Sequence, residues 1–131
     1  MYLLDTNAVI AALKGHAGIL KRIKTHAPQD VAISAIVAHE LYYGAFRSAR
    51  AQENLGRVDA LQFPVLEFDR DDARCAGEIR AWLASVGSPI GPYDVLIAGQ
   101  ALSRSFILVT RNGREFSRIR ELKIENWEDQ S

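Results

Sequence analysis

The chain of 131 residues has one cysteine and no long uncharged apolar run. A single cysteine cannot form an intramolecular disulfide, and without cysteine pairs or clustered histidines no thiolate zinc site is expected. Asp5, Glu40 and Asp94 interrupt the most apolar stretches, whereas a membrane-spanning helix needs about 18 or more apolar residues. The opening MYLLDTN lacks the basic segment and cleavage site of a signal peptide. These absences predict a soluble, cytoplasmic protein.

Net charge is also lacking, because 16 Lys and Arg residues balance 16 Asp and Glu residues. This balance excludes a polybasic arm and an acidic tail, so any polyanion would have to be bound by a local patch. The strongest patch runs from Arg104 to Lys123, where basic residues outnumber acids by six to two. Within it, we select Arg104, Arg111 and Arg114 as candidates to face a nucleic acid.

Short apolar segments alternate with segments of helical periodicity. The pattern predicts strands at 2–4, 31–33, 65–68, 107–110 and 123–127, and helices at 8–13, 17–25, 35–46, 70–86 and 92–104. A polar segment at 49–61 is also typical of a helix. With 48% apolar residues, a chain of this length is expected to build one hydrophobic core. Residues 1–131 are therefore predicted to form a single α/β domain, a mainly parallel central sheet flanked by helices.

Asp5 directly follows the first predicted strand. In an open parallel α/β sheet, ligands bind beyond the carboxyl ends of the strands, where this carboxylate would lie. Aspartate is also a favoured N-cap residue. Taken alone, Asp5 is better explained as the cap of the helix that follows.

Glu40 and Asp94 fall on apolar arcs of their predicted helices. Burying an unpaired carboxylate costs several kcal/mol, so each acid needs a compensating group. A buried arginine is the simplest structural partner for Glu40. A contact with the helix dipole would explain the first-turn position of Asp94 but not its inward direction.

A divalent cation accounts for all three acids together, because no lysine or arginine is comparably placed. Mg²⁺ and Mn²⁺ prefer oxygen ligands and bind through few carboxylates while retaining waters. Such an ion can activate water and neutralise the charge that develops on a phosphodiester. The three acids thus predict a site for metal-assisted hydrolysis.

Four segments together resemble a known family: DTN at 5–7, HELYYGA at 39–45, IGPYDVLIAGQAL at 90–102 and VTRNGREF at 109–116. They resemble the signature segments of the PIN-domain ribonucleases, and most of all the VapC toxins of bacterial type II toxin–antitoxin pairs. The resemblance implies a PIN-like fold and a Mg²⁺- or Mn²⁺-dependent endoribonuclease acting on RNA. It implies that Asp5, Glu40 and Asp94 hold the metal and that Thr6 and Thr110 line the site.

One position departs from the family pattern. The family's frequent fourth acid corresponds here to Asn112, which can coordinate through its carbonyl or hold a metal-bound water but adds no charge. Glu115, three residues on, is the nearest carboxylate. We include Asn112 among the catalytic residues and leave open whether Asn112 or Glu115 completes the site, and whether one or two ions bind.

The resemblance also implies partners. A VapB-like antitoxin would lay its tail across the active-site groove and deliver a basic side chain toward the acids. Family members commonly pair through helices, and Tyr42, Tyr43 and Phe46 offer apolar area for a homodimer.

Two other classes of function stay open. A catalytically weakened PIN-like module would bind RNA or a protein partner without turnover, because position 112 is not acidic. A phospho-acceptor signalling domain is a more distant alternative, suggested by Asp69 after the third strand. That chemistry needs paired acids after the first strand and a lysine near the last strand, and the chain offers only Asp5 and no suitable lysine. Metal-dependent cleavage by the purified protein separates the enzyme from the binding module.

Overall fold

The computed structural model describes residues 1–128. They form a five-stranded, fully parallel sheet in the order β3-β2-β1-β4-β5. The strands are β1 (Tyr2–Leu4), β2 (Val31–Ser34), β3 (Val65–Leu66), β4 (Ile107–Val109) and β5 (Ile124–Glu125). The chain adds strands outward from β1 to β3 and then crosses back, so the strand order reverses between β1 and β4. This confirms the predicted fold class.

Seven α-helices connect and flank the strands of the described chain. They are α1 (Thr6–Leu13), α2 (Ala17–Lys24), α3 (Ala35–Phe46), α4 (Ala51–Asp59), α5 (Arg70–Ser85), α6 (Pro92–Ser103) and α7 (Gly113–Phe116), with a short 3₁₀ turn at Pro28–Asp30. Four of them begin at a residue whose side chain accepts a backbone N–H: Asp5, His16, Ser34 and Asp69. The one-turn helix α7 was not predicted, because so short a segment shows no periodicity.

The core lies between the sheet and its helices. Leu3 and Leu4 of β1, the central strand, are fully buried. Trp127 and Phe116 are the largest fully buried side chains of the described residues. Trp127 follows β5 in sequence, and Phe116 follows β4. Their burial fixes the segments that leave the carboxyl ends of these two strands. Within residues 1–128, no helix is long and apolar enough to cross a membrane.

Helices α5 and α6 pack unusually closely at Gly99. A Cβ atom built on Gly99 would lie 2.5 Å from the Cβ of Ala76 and 2.6 Å from its Cα. Carbon atoms make favourable contact at about 3.5–4.0 Å. Glycine at position 99 therefore permits the contact between the two helices.

The prediction that Arg104 faces a nucleic acid is wrong. Its guanidinium pairs with the fully buried carboxylate of Asp72, with Nη2 3.0 Å from Oδ2, and donates to the carbonyl oxygen of Glu67 at 2.6 Å. These bonds hold the end of α6 to the start of α5. Arg104 also lies ten residues after Asp94, about 15 Å along a helix at 1.5 Å per residue. Asp72–Arg104 is thus an ion pair with a fully buried carboxylate, and Arg104 is a structural residue.

Candidate active site

The sheet register brings the first residues after two neighbouring strands, β1 and β4, to one edge. Leu4 of β1 pairs with Ile33 of β2 on one side and with Val109 of β4 on the other. Asp5 and Thr110 consequently leave neighbouring strands side by side, and the Asp5 N–H donates to the carbonyl oxygen of Val109 at 3.0 Å. This edge is the carboxyl end of a parallel sheet at its switch point, where such folds bind ligands.

Asp5 is both a helix cap and a buried acid. Its Oδ1 accepts the Ala8 N–H at 2.8 Å, which confirms the N-cap interpretation, and the residue is only 3% exposed. Burial raises the pKa of this carboxyl, while hydrogen bonds from the Thr110 hydroxyl and the Ala8 N–H partly oppose the rise. The cap therefore explains the position of Asp5 but does not compensate the cost of burying its charge.

Asp94 lies half-buried in the first turn of α6. Burial, followed by the nearby carboxylates of Asp5, Glu115 and Glu40, raises its pKa to about 6. The charges of three acids from distant parts of the chain thus act on Asp94. We refer to Asp5, Glu40, Asp94 and Glu115 as the carboxylate cluster.

Glu40 is less deeply placed than its helical arc predicted. The buried stripe of α3 consists of Val37, Leu41 and Ala45, whereas Gly44 on the predicted arc is exposed. Glu40 lies half-buried at the margin of this stripe. It needs no buried arginine, because it is only half-buried, and its charge acts on Asp94.

Asn112 and Glu115 act as a pair. Asn112 Nδ2 donates to Glu115 Oε2 at 2.8 Å, and the Asn112 backbone N–H donates to Thr110 Oγ1 at 2.9 Å. Asn112 is at the N-cap position of α7, and Glu115 lies in the single turn of that helix. Glu115 is the one whose negative charge acts on Asp94. In this arrangement Asn112 holds Glu115 and connects it to Thr110.

Thr6 lies at the first position of α1, next to Asp5. Its Oγ1 is buried and has no hydrogen-bond partner among the residues that the structure describes. An unpaired buried hydroxyl is rare in folded proteins and indicates a missing partner such as a water or a ligand. That Thr6 lines a site stays a prediction, which this unpaired hydroxyl supports.

Glu128 is an acid that the sequence patterns did not single out. It raises the pKa of Asp5 through its charge, while Arg111 lowers it, so both groups lie beside the cluster. Glu128 Oε1 lies 3.9 Å from Arg111 Nη1, and the side chains are 14% and 59% exposed respectively. Glu128 follows β5 in a non-periodic segment, so no regular pattern could have found it.

The predicted basic patch does not form one surface. Arg111 lies beside the cluster and Arg114 is exposed in α7. Arg120 instead stacks over the ring of Trp82 on α5, 5.4 Å from its centroid. Together with the position of Arg104, this leaves Arg111 and Arg114 as the candidates at the carboxyl edge.

The carboxylate cluster has the donor atoms that a divalent cation prefers, but its side chains lie too far apart to bind one together. In the described chain, no three His, Cys, Asp or Glu side chains are gathered closely enough to hold an ion as they stand. No member of the cluster takes part in an ion pair there. Asp94, the three carboxylates whose charges act on it and the unpaired Thr6 hydroxyl next to Asp5 are oxygen donors of the kind that a hard cation prefers.

A groove opens beside Glu40, between α1, α3 and α4. It encloses about 380 Å³, and its lining is mainly apolar, with Lys14 and Arg57 among its residues: Ile10, Leu13, Lys14, Glu40, Leu41, Gly44, Ala45, Asn54, Arg57 and Val58. Arg57 Nη2 donates to the carbonyl oxygen of Leu13 at 2.8 Å, which joins α4 to the end of α1. The groove therefore leads directly to one acid of the cluster.

The three aromatic residues expected at a homodimer contact differ in exposure. Tyr43 and Phe46 are 59% and 67% exposed. Tyr42 is half-buried, and its hydroxyl donates to Asp59 at the end of α4. Tyr42 consequently belongs to the packing of α3 against α4, and Tyr43 and Phe46 remain as exposed apolar area.

The family model for the PIN domain matches residues 2–122. A tRNA(fMet)-specific endonuclease VapC of Salmonella typhimurium is 40% identical over 128 residues, covering 96% of this chain and 97% of the relative. The ribonuclease VapC2 of Haemophilus influenzae (strain ATCC 51907 / DSM 11121 / KW20 / Rd) is 37% identical, with 96% and 97% coverage.

Solved structures agree with this similarity. The crystal structure of DNA-bound VapBC from Salmonella typhimurium superimposes with a TM-score of 0.92 at 41% identity, covering 96% of this chain and 97% of that one. VapBC2 from Rickettsia felis bound to a promoter DNA fragment gives 0.90 at 34% identity, with 96% and 98% coverage.

Proposed function

Because this chain belongs to the PIN-domain family as a VapC-type ribonuclease, we propose that it is an endoribonuclease toxin whose active site is the carboxylate cluster. The observation that carries the assignment of the site is the position of Asp5, which is 3% exposed and leaves β1 beside Thr110, the residue after β4, at the switch point of the parallel sheet. The pKa of Asp94, raised to about 6 by burial and by Asp5, Glu115 and Glu40, supports it. Structural acids seldom gather in this way, and strongly perturbed groups are concentrated at functional sites.

We propose that Asp5, Glu40, Asp94 and Glu115 hold Mg²⁺ or Mn²⁺. The cation would offset a repulsion that no ion pair of residues 1–128 relieves. When bound, it would supply water activation and neutralisation of charge on the phosphodiester. Because the free side chains repel one another, we expect them to draw together when it binds.

Hydrogen bonds from neighbouring residues would position the carboxylates of the cluster. Asp5 is fixed by its bond to the Ala8 N–H and by the Thr110 hydroxyl, and Glu115 is held by Asn112. One of these acids would also take up the proton of the attacking water. In this proposal Glu115 supplies the fourth charge and Asn112 supports it.

The experiment is cleavage of a panel of purified RNAs with and without Mg²⁺ or Mn²⁺. The relative from Salmonella typhimurium is named as tRNA(fMet)-specific, so initiator tRNA heads the panel, with an elongator tRNA and ribosomal RNA beside it. We expect metal-dependent cleavage by the wild-type chain and loss of cleavage in Glu40→Gln. RNA binding without cleavage of any RNA would favour the catalytically weakened binding module.

The partner of the chain is a VapB-like antitoxin, since the full-length structural neighbours are VapBC complexes. We propose that the antitoxin occupies the groove beside Glu40, because it is mainly apolar, large enough for several side chains and adjacent to the cluster. Expression of the chain alone should slow growth, and co-expression of the antitoxin should restore it. We propose a cytoplasmic location, which suits an RNA substrate and such a partner.

We also propose a homodimer. Tyr43 and Phe46 expose apolar area on the outer face of α3, which suits an isologous contact. Light scattering should give twice the 14.6 kDa mass of the chain. A monomer that persists at micromolar concentration would contradict the dimer without affecting the assignment of the active site.

A further inference from the structure

Glu128 lies where a carboxylate should be unfavourable. It is largely buried, its charge acts on Asp5, and its Oε2 has no hydrogen-bond partner among the described residues. Another negative charge beside four carboxylates would also repel the phosphates of an RNA. Glu128 is therefore unsuited to bind the RNA itself. Another role must explain why a carboxylate occupies this position.

The position of Glu128 is firmly set by its neighbours. Trp127 before it is 1% exposed and donates through Nε1 to Glu125 Oε1 at 2.9 Å. The Glu128 backbone N–H donates to Asn126 Oδ1 at 2.9 Å. This turn, anchored by the buried tryptophan, places Glu128 at the carboxyl end of β5.

Arg111 is the residue that Glu128 faces. It follows Thr110 at the end of β4, and the Thr110 N–H donates to the carbonyl oxygen of Glu125 at 2.9 Å. The adjacent strands β4 and β5 thus set Arg111 and Glu128 opposite one another, with 3.9 Å between Nη1 and Oε1. Glu128 is the partner of Arg111 in the ion pairs of the described chain.

Arg111 also lies near Asp5: it is two residues after Val109, whose carbonyl oxygen accepts the Asp5 N–H at 3.0 Å, and its charge acts on Asp5. Its side chain is 59% exposed, so most of its five N–H donors are free for another ligand. A guanidinium binds phosphate oxygens in a fixed, forked geometry. This group is therefore available to bind a phosphate that approaches the cluster.

From this geometry we infer that Glu128 is a positioning residue, which holds the Arg111 guanidinium beside the carboxylate cluster so that it binds a phosphate of the RNA. The inference rests on the proposed function and adds a substrate-binding residue and its support. Glu128 itself would touch neither the phosphate nor the reacting atoms.

The test compares Arg111→Gln, Glu128→Gln and the double variant. Kinetics use whichever RNA the wild-type chain cleaves fastest, and binding uses a fluorescent 20-nucleotide single-stranded RNA in EDTA. Losing a charge-assisted contact should raise KM and Kd about tenfold in Arg111→Gln, with kcat little changed. The slope of log Kd against log salt should also fall by about 0.7, as expected for one phosphate contact.

Glu128→Gln gives results of opposite sign under the two explanations. If Glu128 only adds negative charge, its removal should tighten RNA binding. If it positions Arg111, binding should weaken, and the double variant should match Arg111→Gln. Tighter binding, additive effects in the double variant, or a fall in kcat with KM unchanged would overturn the inference.

Two controls protect the interpretation. Arg74→Gln removes an exposed positive charge on α5, so it should leave KM and kcat near wild type. If Glu128→Gln fails to fold, Glu128→Asp is used, because it keeps the charge but shortens the side chain. This variant should raise KM, and a KM equal to that of wild type overturns the inference.

Absence of cleavage by the wild-type chain would refute the proposed function instead. The binding measurements in EDTA would still test the pair of Arg111 and Glu128.

Discussion

Asp94→Asn should make the protein more stable while abolishing cleavage. The wild-type carboxyl has its pKa raised from the ordinary value of 3.8 to about 6, by burial and then by Asp5, Glu115 and Glu40. An asparagine keeps the shape of the side chain and removes the charge that these groups disfavour. Loss of an active-site acid with a gain in stability is the expected signature of a site built for a ligand.

The magnitude follows from the pKa. A rise from 3.8 to about 6 corresponds to roughly 3 kcal/mol at about 1.36 kcal/mol per pH unit. Asp94 is only half-buried, so screening by solvent reduces the expected gain to about 1–2 kcal/mol. For a domain of this size, that gain should raise the Tm by about 4–7 °C.

The gain should also depend on pH. A carboxyl with a raised pKa in the folded state destabilises the fold when ionised, so the penalty is complete above pH 6 and absent below the unfolded value of 3.8. The difference in Tm between Asp94→Asn and wild type should therefore be full at pH 7.5 and shrink as the pH falls from 6 to 4.

Thermal unfolding in EDTA across this pH range measures the effect. The matched control is Asp71→Asn, because Asp71 is an exposed acid in the first turn of α5. Its neutralisation loses a favourable contact with the helix dipole and should cost about 0.3–1 kcal/mol. An Asp94→Asn protein that is less stable than wild type at pH 7.5, or whose gain is independent of pH, would refute the reasoning.

Three other variants test the fold and the site. Gly99→Ala should lower the free energy of unfolding by about 1–3 kcal/mol in chemical denaturation, because the added methyl group has no room against α5. Arg104→Gln should cost about 3 kcal/mol by leaving Asp72 buried without its partner, while the RNA affinity of the folded protein stays unchanged. Glu115→Gln should lower kcat by about 10- to 100-fold, and Asn112→Ala should have a smaller effect of the same kind, since it releases Glu115.

Much of the fold could be predicted from local patterns. Buried strands such as Val31–Ser34 are short apolar runs, and Ser34 and Asp69 are helix caps that act within a few residues of themselves. Asp5 could be placed at the sheet edge because it directly follows β1. Such features depend on neighbours in sequence, so one sequence contains enough information to find them.

The features that could not be predicted depend on residues far apart in the chain. The role of Arg104 is set by Asp72, 32 residues away, and a count of basic residues cannot reveal that pairing. Glu128 meets Arg111 only because β4 and β5 are adjacent. Helical periodicity placed Glu40 on the correct helix but too deep, because the direction of the buried stripe depends on what α3 packs against.

The most direct test of the central claim is the rate of RNA cleavage by the purified chain as a function of Mn²⁺ concentration, measured for wild type and for Asp5→Asn. We predict no cleavage in EDTA, a saturable rise in the wild-type rate with added Mn²⁺, and little cleavage by Asp5→Asn at the same concentrations. Wild-type cleavage that persists in EDTA, or an Asp5→Asn profile that matches wild type, would contradict the claim that this carboxylate cluster is a metal-dependent ribonuclease site.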